Sequence, residues 1–344
     1  MSKNLRTTLI SLSLLAVITA LYIYNMYVHR AKVPGKLPVE HILIPSNSSY
    51  EAVMDTLKEN GIVQERTIFD LLADQMAYKK EKMRSGRFKV EPGWSYVKLI
   101  RHLRNGKQAP VKVVLTNERL PEDVAGKVAR FIEPDSSELY QHFSDEKVLS
   151  QFGYTQETFM SMMIPNTYEF FWNASPQSFL ERMEREHQNF WSKKNRLKKA
   201  EQLNMTPAEV YTLASIVEKE TLKNQEKQRM AGVYINRLKK KMLLQADPTA
   251  VFATRDFNTK RVTNKHTNFD SPYNTYKYVG LPPGPISMSS ISSIDAVLNH
   301  ENHDYLYFCA KGDGSGLHSF AKTLSAHNRN AEIYRRNLRK RGLR

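Results

Sequence analysis

Leu9 through Tyr27 carries no charged side chain and, apart from Asn25, is apolar or small-polar. A run of about 19 to 20 such residues is long enough to cross a bilayer as a helix. A cleavable signal peptide is the competing reading. Against it, the run continues through Tyr22, Tyr24 and Tyr27 with no small-x-small cleavage site, and tyrosines at that place suit a membrane interface. The expectation is an uncleaved, single-pass anchor within residues 1–30. Lys3 and Arg6 precede the run while Arg30, Lys32 and Lys36 follow it, so counting positive charges does not fix the orientation. The short leading tail and the long body favour a cytoplasmic tail with the body outside.

The rest of the chain is long enough for more than one core, with 344 residues and 41% hydrophobic content. The one cysteine, Cys309, excludes an intramolecular disulfide and sits in an apolar run, Tyr305 to Cys309, as a small core residue would. No Cys/His spacing suggests zinc and no HExxH occurs, so no metal or cofactor is expected. The net charge of +16 includes basic runs at 193–199, 239–241 and 335–341. Nucleic acid is the standard reading of such a balance, but no nucleic-acid fold motif accompanies it. Anionic lipid head groups or a polyanionic polymer outside the cytoplasm fit as well. Each run by itself also reads as a solvated helix face.

A linker at 31–39 leads to a weak internal repeat. Ile42 to Pro45 and Arg87 to Val90 read as strands. Ser49-Tyr50 and Ser95-Tyr96 open helices that close at Asn60-Gly61 and Asn105-Gly106, where a left-handed glycine cap is expected. A third strand, Val111 to Leu115, precedes a helix near Pro121. Residues 40–110 thus form a small strand–helix module similar to LysM-like glycan-binding domains. Residues 111–344 read as a second domain, with helices over 155–163, 178–198 and 224–242 and a hairpin across Gly312 to Gly316. The fold class is α+β.

One helix of that domain is legible in detail. Thr206-Pro207-Ala208-Glu209 is a capping box with proline at the first helical position. Val210, Leu213, Ala214, Val217 and Thr221 recur at helical spacing and make one stripe. At roughly 100° per residue, Glu218 falls about 80° to one side of that stripe, Glu220 about 80° to the other, and Lys219 points away. The two glutamates therefore cannot form the facing carboxylate pair of ordinary glycosidases. A carboxyl half-buried against apolar side chains is a candidate proton donor at neutral pH, and what matters is which of the two faces a cleft. Solvated flank residues are the ordinary alternative.

Taken in order, Ala214 to Thr221, Asn236-Arg237-Leu238, Leu244-Gln245-x-Asp247-Pro248-Thr249, Tyr273-Asn274-Thr275-Tyr276, Gly280 to Ile286, His318-x-Phe320 and Ser325-x-His327-Asn328 resemble the YceG-like family of endolytic murein transglycosylases. The resemblance covers anchor, LysM-like module and catalytic domain. It implies a peptidoglycan lyase that cuts the β-1,4 bond between N-acetylmuramic acid and N-acetylglucosamine in nascent strands and leaves a 1,6-anhydromuramyl end. It implies a location in the inner membrane with the catalytic domain periplasmic, glycan strands as substrate and peptidoglycan synthases as partners, with no nucleic acid. By position it implies Glu218 as the catalytic glutamate, with Ala214 one turn earlier leaving room for a sugar. Gln245, Asp247, Tyr273, Asn274, Tyr276, Pro283, Gly284 and His318 become candidate substrate contacts. Capping of the Pro248 turn is an equal reading for Asp247, as packing on Phe320 is for His318. Asn166 stands where the family carries an acidic residue, which favours a turn role there. A non-catalytic glycan-binding scaffold, a basic adaptor and a lysozyme-like hydrolase stay open as alternatives.

Overall fold

A computed structural model describes residues 3–343, with the side chains of residues 3–5, 7, 23 and 26–30 outside the described set. Its first element, α1 (Lys3–Arg30), is one helix of 28 residues. Among the described residues no helix is long and apolar enough to cross a membrane. The expected span includes Ile23, Met26 and Tyr27, whose side chains lie outside the described residues. Of those described, Leu9, Ile10, Leu12, Leu14, Leu15, Val17, Ile18 and Leu21 are each 48% to 62% exposed. Among the described residues of α1, these apolar side chains are thus open to the surroundings and not packed into a core.

The chain divides into two compact units. The first comprises residues 1–112 with 131–133 and 169–174. In it β1 (His41–Ile44) pairs antiparallel with β2 (Gly86–Lys89), Ile42 opposite Phe88. Helices α2 (Tyr50–Glu59) and α3 (Arg66–Gln75) lie between the strands in sequence, and α4 (Tyr96–Asn105) follows. Ser49 and Ser95 cap α2 and α4, accepting the amides of Ala52 and Lys98. Helix α3 has no side-chain cap, which is why no local signal announces it. Ile42, Ile44, Val53, Leu57, Phe69, Leu72, Phe88, Leu99 and Leu103 form the core. Gly61 takes the expected left-handed φ of 64°, but Gly106 has φ −69°. Glycine is needed at 106 for space, since a Cβ there would lie 2.3 Å from Nδ1 of His102.

The chain changes unit within β3 (Val111–Leu115) and β4 (Asn166–Phe170), which pair with each other. The second unit holds α5 (Pro121–Val128), α6 (Ser136–Ser144) and α7 (Glu146–Gln151), then a single 3₁₀ turn, Phe159–Met162, where a longer helix was expected. The helix expected over 178–198 is two, α8 (Pro176–Ser192) and α9 (Arg196–Gln202), because Lys194 and Asn195 both take φ 56°. Then come α10 (Pro207–Glu220), α11 (Asn224–Lys239), α12 (Asp247–Thr254), α13 (Asn264–Thr267) and α14 (Ile291–Leu298). The antiparallel hairpin β5 (Tyr307–Ala310) and β6 (His318–Ala321) precedes the basic α15 (Leu324–Lys340). Helix α10 is central and packs on α9, α11, α12 and α14. Val210, Leu213, Ile216, Val217, Met230, Tyr234, Ile294 and Val297 belong to the core around it. Cys309 is only partly buried, not a core residue.

Candidate active site

The Thr206–Glu209 capping box forms as expected and starts α10. Every residue from Val210 to Val217 is buried, so Ala214 packs in the core and leaves no space for a sugar, contrary to expectation. Tyr211 and Ser215 tie α10 to the Pro-Gly loop: the Ser289 amide donates to the Tyr211 hydroxyl and the Ile286 amide to Ser215 Oγ, both at 3.0 Å. The rigid α10 then delivers Glu218, Lys219 and Glu220 together at its last turn, each partly exposed.

The two glutamates meet different surroundings. Lys227 Nζ lies 3.0 Å from Glu218 Oε2 and is itself 5% exposed. The hydroxyls of Ser290 and Ser293, at the start of α14, donate to the same oxygen. Burial pushes the Glu218 carboxyl up, but the Ser290, Ser293 and Lys227 donors outweigh it and hold the group below its ordinary value. A carboxylate so held fastens α10, α11 and α14 together. Its linkage sign is that of a depressed acid: the stabilisation is full above the ordinary carboxylate range and disappears as pH falls through the lowered pKa. Urea unfolding of Glu218→Gln and the parent is therefore expected to differ by about 1–3 kcal/mol at pH 7, with the gap closing as the pH drops below about 4. A gap independent of pH would refute this role.

Glu220 lies on the opposite flank, as the helical geometry required. It accepts the Tyr234 hydroxyl at 2.7 Å. It lines two cavities of about 300 Å³ each, and Asp247 lines both as well. Burial pushes its carboxyl up to about 7; the Tyr234 bond and Arg237 oppose the rise and the Asp247 charge adds to it. The residue is partly exposed and lines both cavities, and burial is still the largest influence on its carboxyl. Of the two carboxyls on this turn, the one raised by burial is thus that of Glu220. Glu218, the glutamate favoured by sequence, lines neither cavity. Lys219 lines the first of them beside Glu220.

The other candidates divide. Gln245 and Tyr276 share the second cavity with Glu220 and Asp247, and the Tyr276 hydroxyl donates to Asp247 Oδ1. Asp247 is the first residue of α12 and lines both cavities. Gln245 holds φ 50°, a strained value for a residue with a side chain. Tyr273 lines a neighbouring cavity of about 220 Å³, 4.8 Å from the Phe252 ring. Asn274 is fully buried and donates to the carbonyls of His266 (3.1 Å) and Phe269 (2.7 Å). It locks the loop and is not free to meet a sugar. Gly284 is buried as well, against the backbone of Glu157, while Pro283 is exposed and lines none of these three cavities. His318 Nδ1 lies 3.0 Å from Glu226 Oε2 and its ring packs edge-on against Phe308, so it braces the hairpin. Asn166 Oδ1 accepts the next amide, Thr167, at 2.8 Å.

Sequence reasoning did not select Arg119, Lys219, Arg237 and His327, all of which line cavities with Glu220. His327 belongs to the Ser325-x-His327-Asn328 motif, and its Nδ1 is buried with no hydrogen-bond partner among the described residues. Burial and nearby Arg237 hold the imidazole pKa down, so it is neutral at pH 7. Arg119 gave no local signal, since it reaches α10 and α12 from a distant segment.

The YceG-like family matches residues 42–333. The chain is 30% identical over 315 residues to the endolytic murein transglycosylase of Bacillus subtilis (strain 168), covering 86% of this chain and 84% of that protein. It is 26% identical to the endolytic murein transglycosylase of Streptococcus pneumoniae serotype 2, covering 83% of this chain and 57% of that longer protein. A crystal structure of a yceG-like protein from Listeria monocytogenes superposes with a TM-score of 0.57 at 27% identity, over 84% of this chain and 97% of that one. With the match running from β1 into α15 through every element of the cleft, this chain belongs to the YceG-like family.

Proposed function

We propose that this chain is an endolytic murein transglycosylase with Glu220 as its one acid/base. The observation that carries this is a carboxyl pushed up to about 7 at the meeting of two cavities. The similarity to relatives of that name supports it. Protonated Glu220 gives its proton to the glycosidic oxygen O4, which links muramyl C1 to C4 of the N-acetylglucosamine, and the C1–O4 bond breaks. The muramyl C6 hydroxyl attacks C1, and the Glu220 carboxylate takes its proton. The C1–O6 bond closes the 1,6-anhydro ring, Glu220 is protonated again, and no water is consumed. The Asp247 carboxylate stabilises positive charge developing at C1.

The first step needs the neutral acid, so the rate is expected to fall as pH rises through about 7, measured as kcat/KM on uncrosslinked strands. An unchanged rate from pH 6 to 9 would contradict a Glu220 acid. A lysozyme-like hydrolase is the second reading, because Asp247 supplies a second carboxylate on the same cavities. Digestion in ¹⁸O-water separates the two: anhydro ends carry no label, whereas hydrolysis leaves labelled reducing ends.

The uncharged stretch Leu9–Tyr27 and the exposed apolar side chains of α1 support a single-pass anchor in the inner membrane with residues from about 30 onward outside the cytoplasm. Synthases that extend strands at that membrane are the partners this implies. The β–α–α–β order with antiparallel β1 and β2 supports a LysM-like, strand-positioning role for residues 40–110, ahead of a catalytic domain at 111–344. A phosphatase fused after Arg344 is expected to be active, as it requires export. An inactive phosphatase with a fluorescent cytoplasmic reporter at the same place would reverse the topology.

A further inference from the structure

Arg119 and Lys219 line the cavity of about 300 Å³ that Glu220 and Asp247 also line. Cations nearby are paired: Lys127 with Glu118, Lys227 with Glu218 and Arg255 with Glu122. Among the described residues, the side chains of Arg119 and Lys219 have no carboxylate within ion-pair distance and no hydrogen bond. Arg119 is nonetheless held in place, its guanidinium 4.3 Å from the centre of the Phe257 ring. Asp247 is engaged by the Tyr276 hydroxyl. Two partly buried like charges facing one cavity repel each other and lose hydration, a cost that an anion bound between them offsets. Burial and then Arg119 lower the Lys219 pKa, against the Glu218 charge, which raises it.

We infer that the cavity of Arg119 and Lys219 is an anion subsite that receives a carboxylate carried by the muramyl residue of the strand. This rests on the Glu220 cleavage reading. N-acetylglucosamine carries no acid, whereas N-acetylmuramic acid bears a lactyl group whose carboxyl is either free or extended by a peptide with carboxyl groups of its own. The subsite therefore sets strand direction. The muramyl side of the cut bond lies with Arg119 and Lys219. The N-acetylglucosamine side lies across Glu220, with Gln245, Tyr276 and His327.

The test is equilibrium binding to the full chain of a tetrasaccharide whose glycosidic oxygen at the cut bond is replaced by sulfur. Binding then reports whether or not Glu220 is the acid. Two pairs are compared: free lactyl acid against its methyl ester, and a peptide-bearing form against the same form with its carboxyls amidated. The charged member of at least one pair is expected to bind roughly tenfold tighter. That preference should collapse in Arg119→Gln and in Lys219→Met, with melting temperatures equal to or above the parent's. Preference within the first pair assigns the carboxylate to the lactyl group, and preference only within the second assigns it to the peptide. Parity in both pairs, or a preference that survives both substitutions, overturns the subsite. An active Glu220→Gln enzyme would instead overturn the cleavage reading and leave this measurement standing.

Discussion

Glu220→Gln is expected to lower release of 1,6-anhydromuramyl products by about 10²–10⁴-fold or more, while Glu218→Gln stays within a few-fold of the parent. Glutamine keeps the size of the side chain and can still accept the Tyr234 hydroxyl, now at 2.7 Å from Glu220 Oε1. It can neither give nor recover a proton. The fold offers an independent signature of the same substitution. A carboxyl raised to about 7 in the folded state is favoured there as the neutral acid, so its ionisation costs stability progressively as pH rises from about 4.3, its unfolded value, to about 7. Removing that ionisation makes Glu220→Gln more stable than the parent at pH 8 and close to it at pH 4. A dead and stabilised variant is the pattern of a functional group held at a stability cost. Equal product release in parent and Glu220→Gln, or loss in Glu218→Gln alone, would overturn the assignment. Muropeptide mass spectrometry reads the first comparison and urea unfolding at two pH values the second.

Gly284→Ala is expected to destabilise the protein by about 1–3 kcal/mol or more, the range for forcing atoms into a packed site. A Cβ at 284 would lie 1.9 Å from the Glu157 carbonyl oxygen and 2.6 Å from its carbon. Both are backbone atoms, so no side chain can swing aside to make room. The damage should reach activity as well. Pro285 and Ile286 follow directly and line two of the cavities, and the Ile286 amide is fastened to Ser215 of α10 at 3.0 Å. Pro283→Ala next door is the control, since Pro283 is exposed. It should shift stability by less than about 0.5 kcal/mol. A urea midpoint for Gly284→Ala equal to that of Pro283→Ala would show that the loop yields and that the contact with Glu157 is dispensable.

Where a single turn of chain carries its own instructions, the residues alone were sufficient. Ser49, Ser95 and Thr206 cap their helices, because a hydroxyl reaching an amide three residues on needs no distant partner. Helical geometry likewise put Glu218 and Glu220 on opposite flanks of α10. Local pattern failed where a backbone turn had no strong residue behind it, as at Lys194 and Asn195, or where a helix began without a cap, as with α3. It also failed for Asn274, whose residue type suits a sugar as well as a loop. Only its three carbonyl partners, in His266, Thr267 and Phe269, show which it serves. The choice between the glutamates was of the same kind. Ser290 and Ser293 come from more than 70 residues away and Lys227 from the next helix to fasten Glu218, while Tyr234 and Asp247 enclose Glu220. Chain geometry determined that two carboxyls diverge; tertiary packing alone decided which is held ionised and which is held near neutrality, because a pKa is set by burial and by neighbours that lie far off in the sequence.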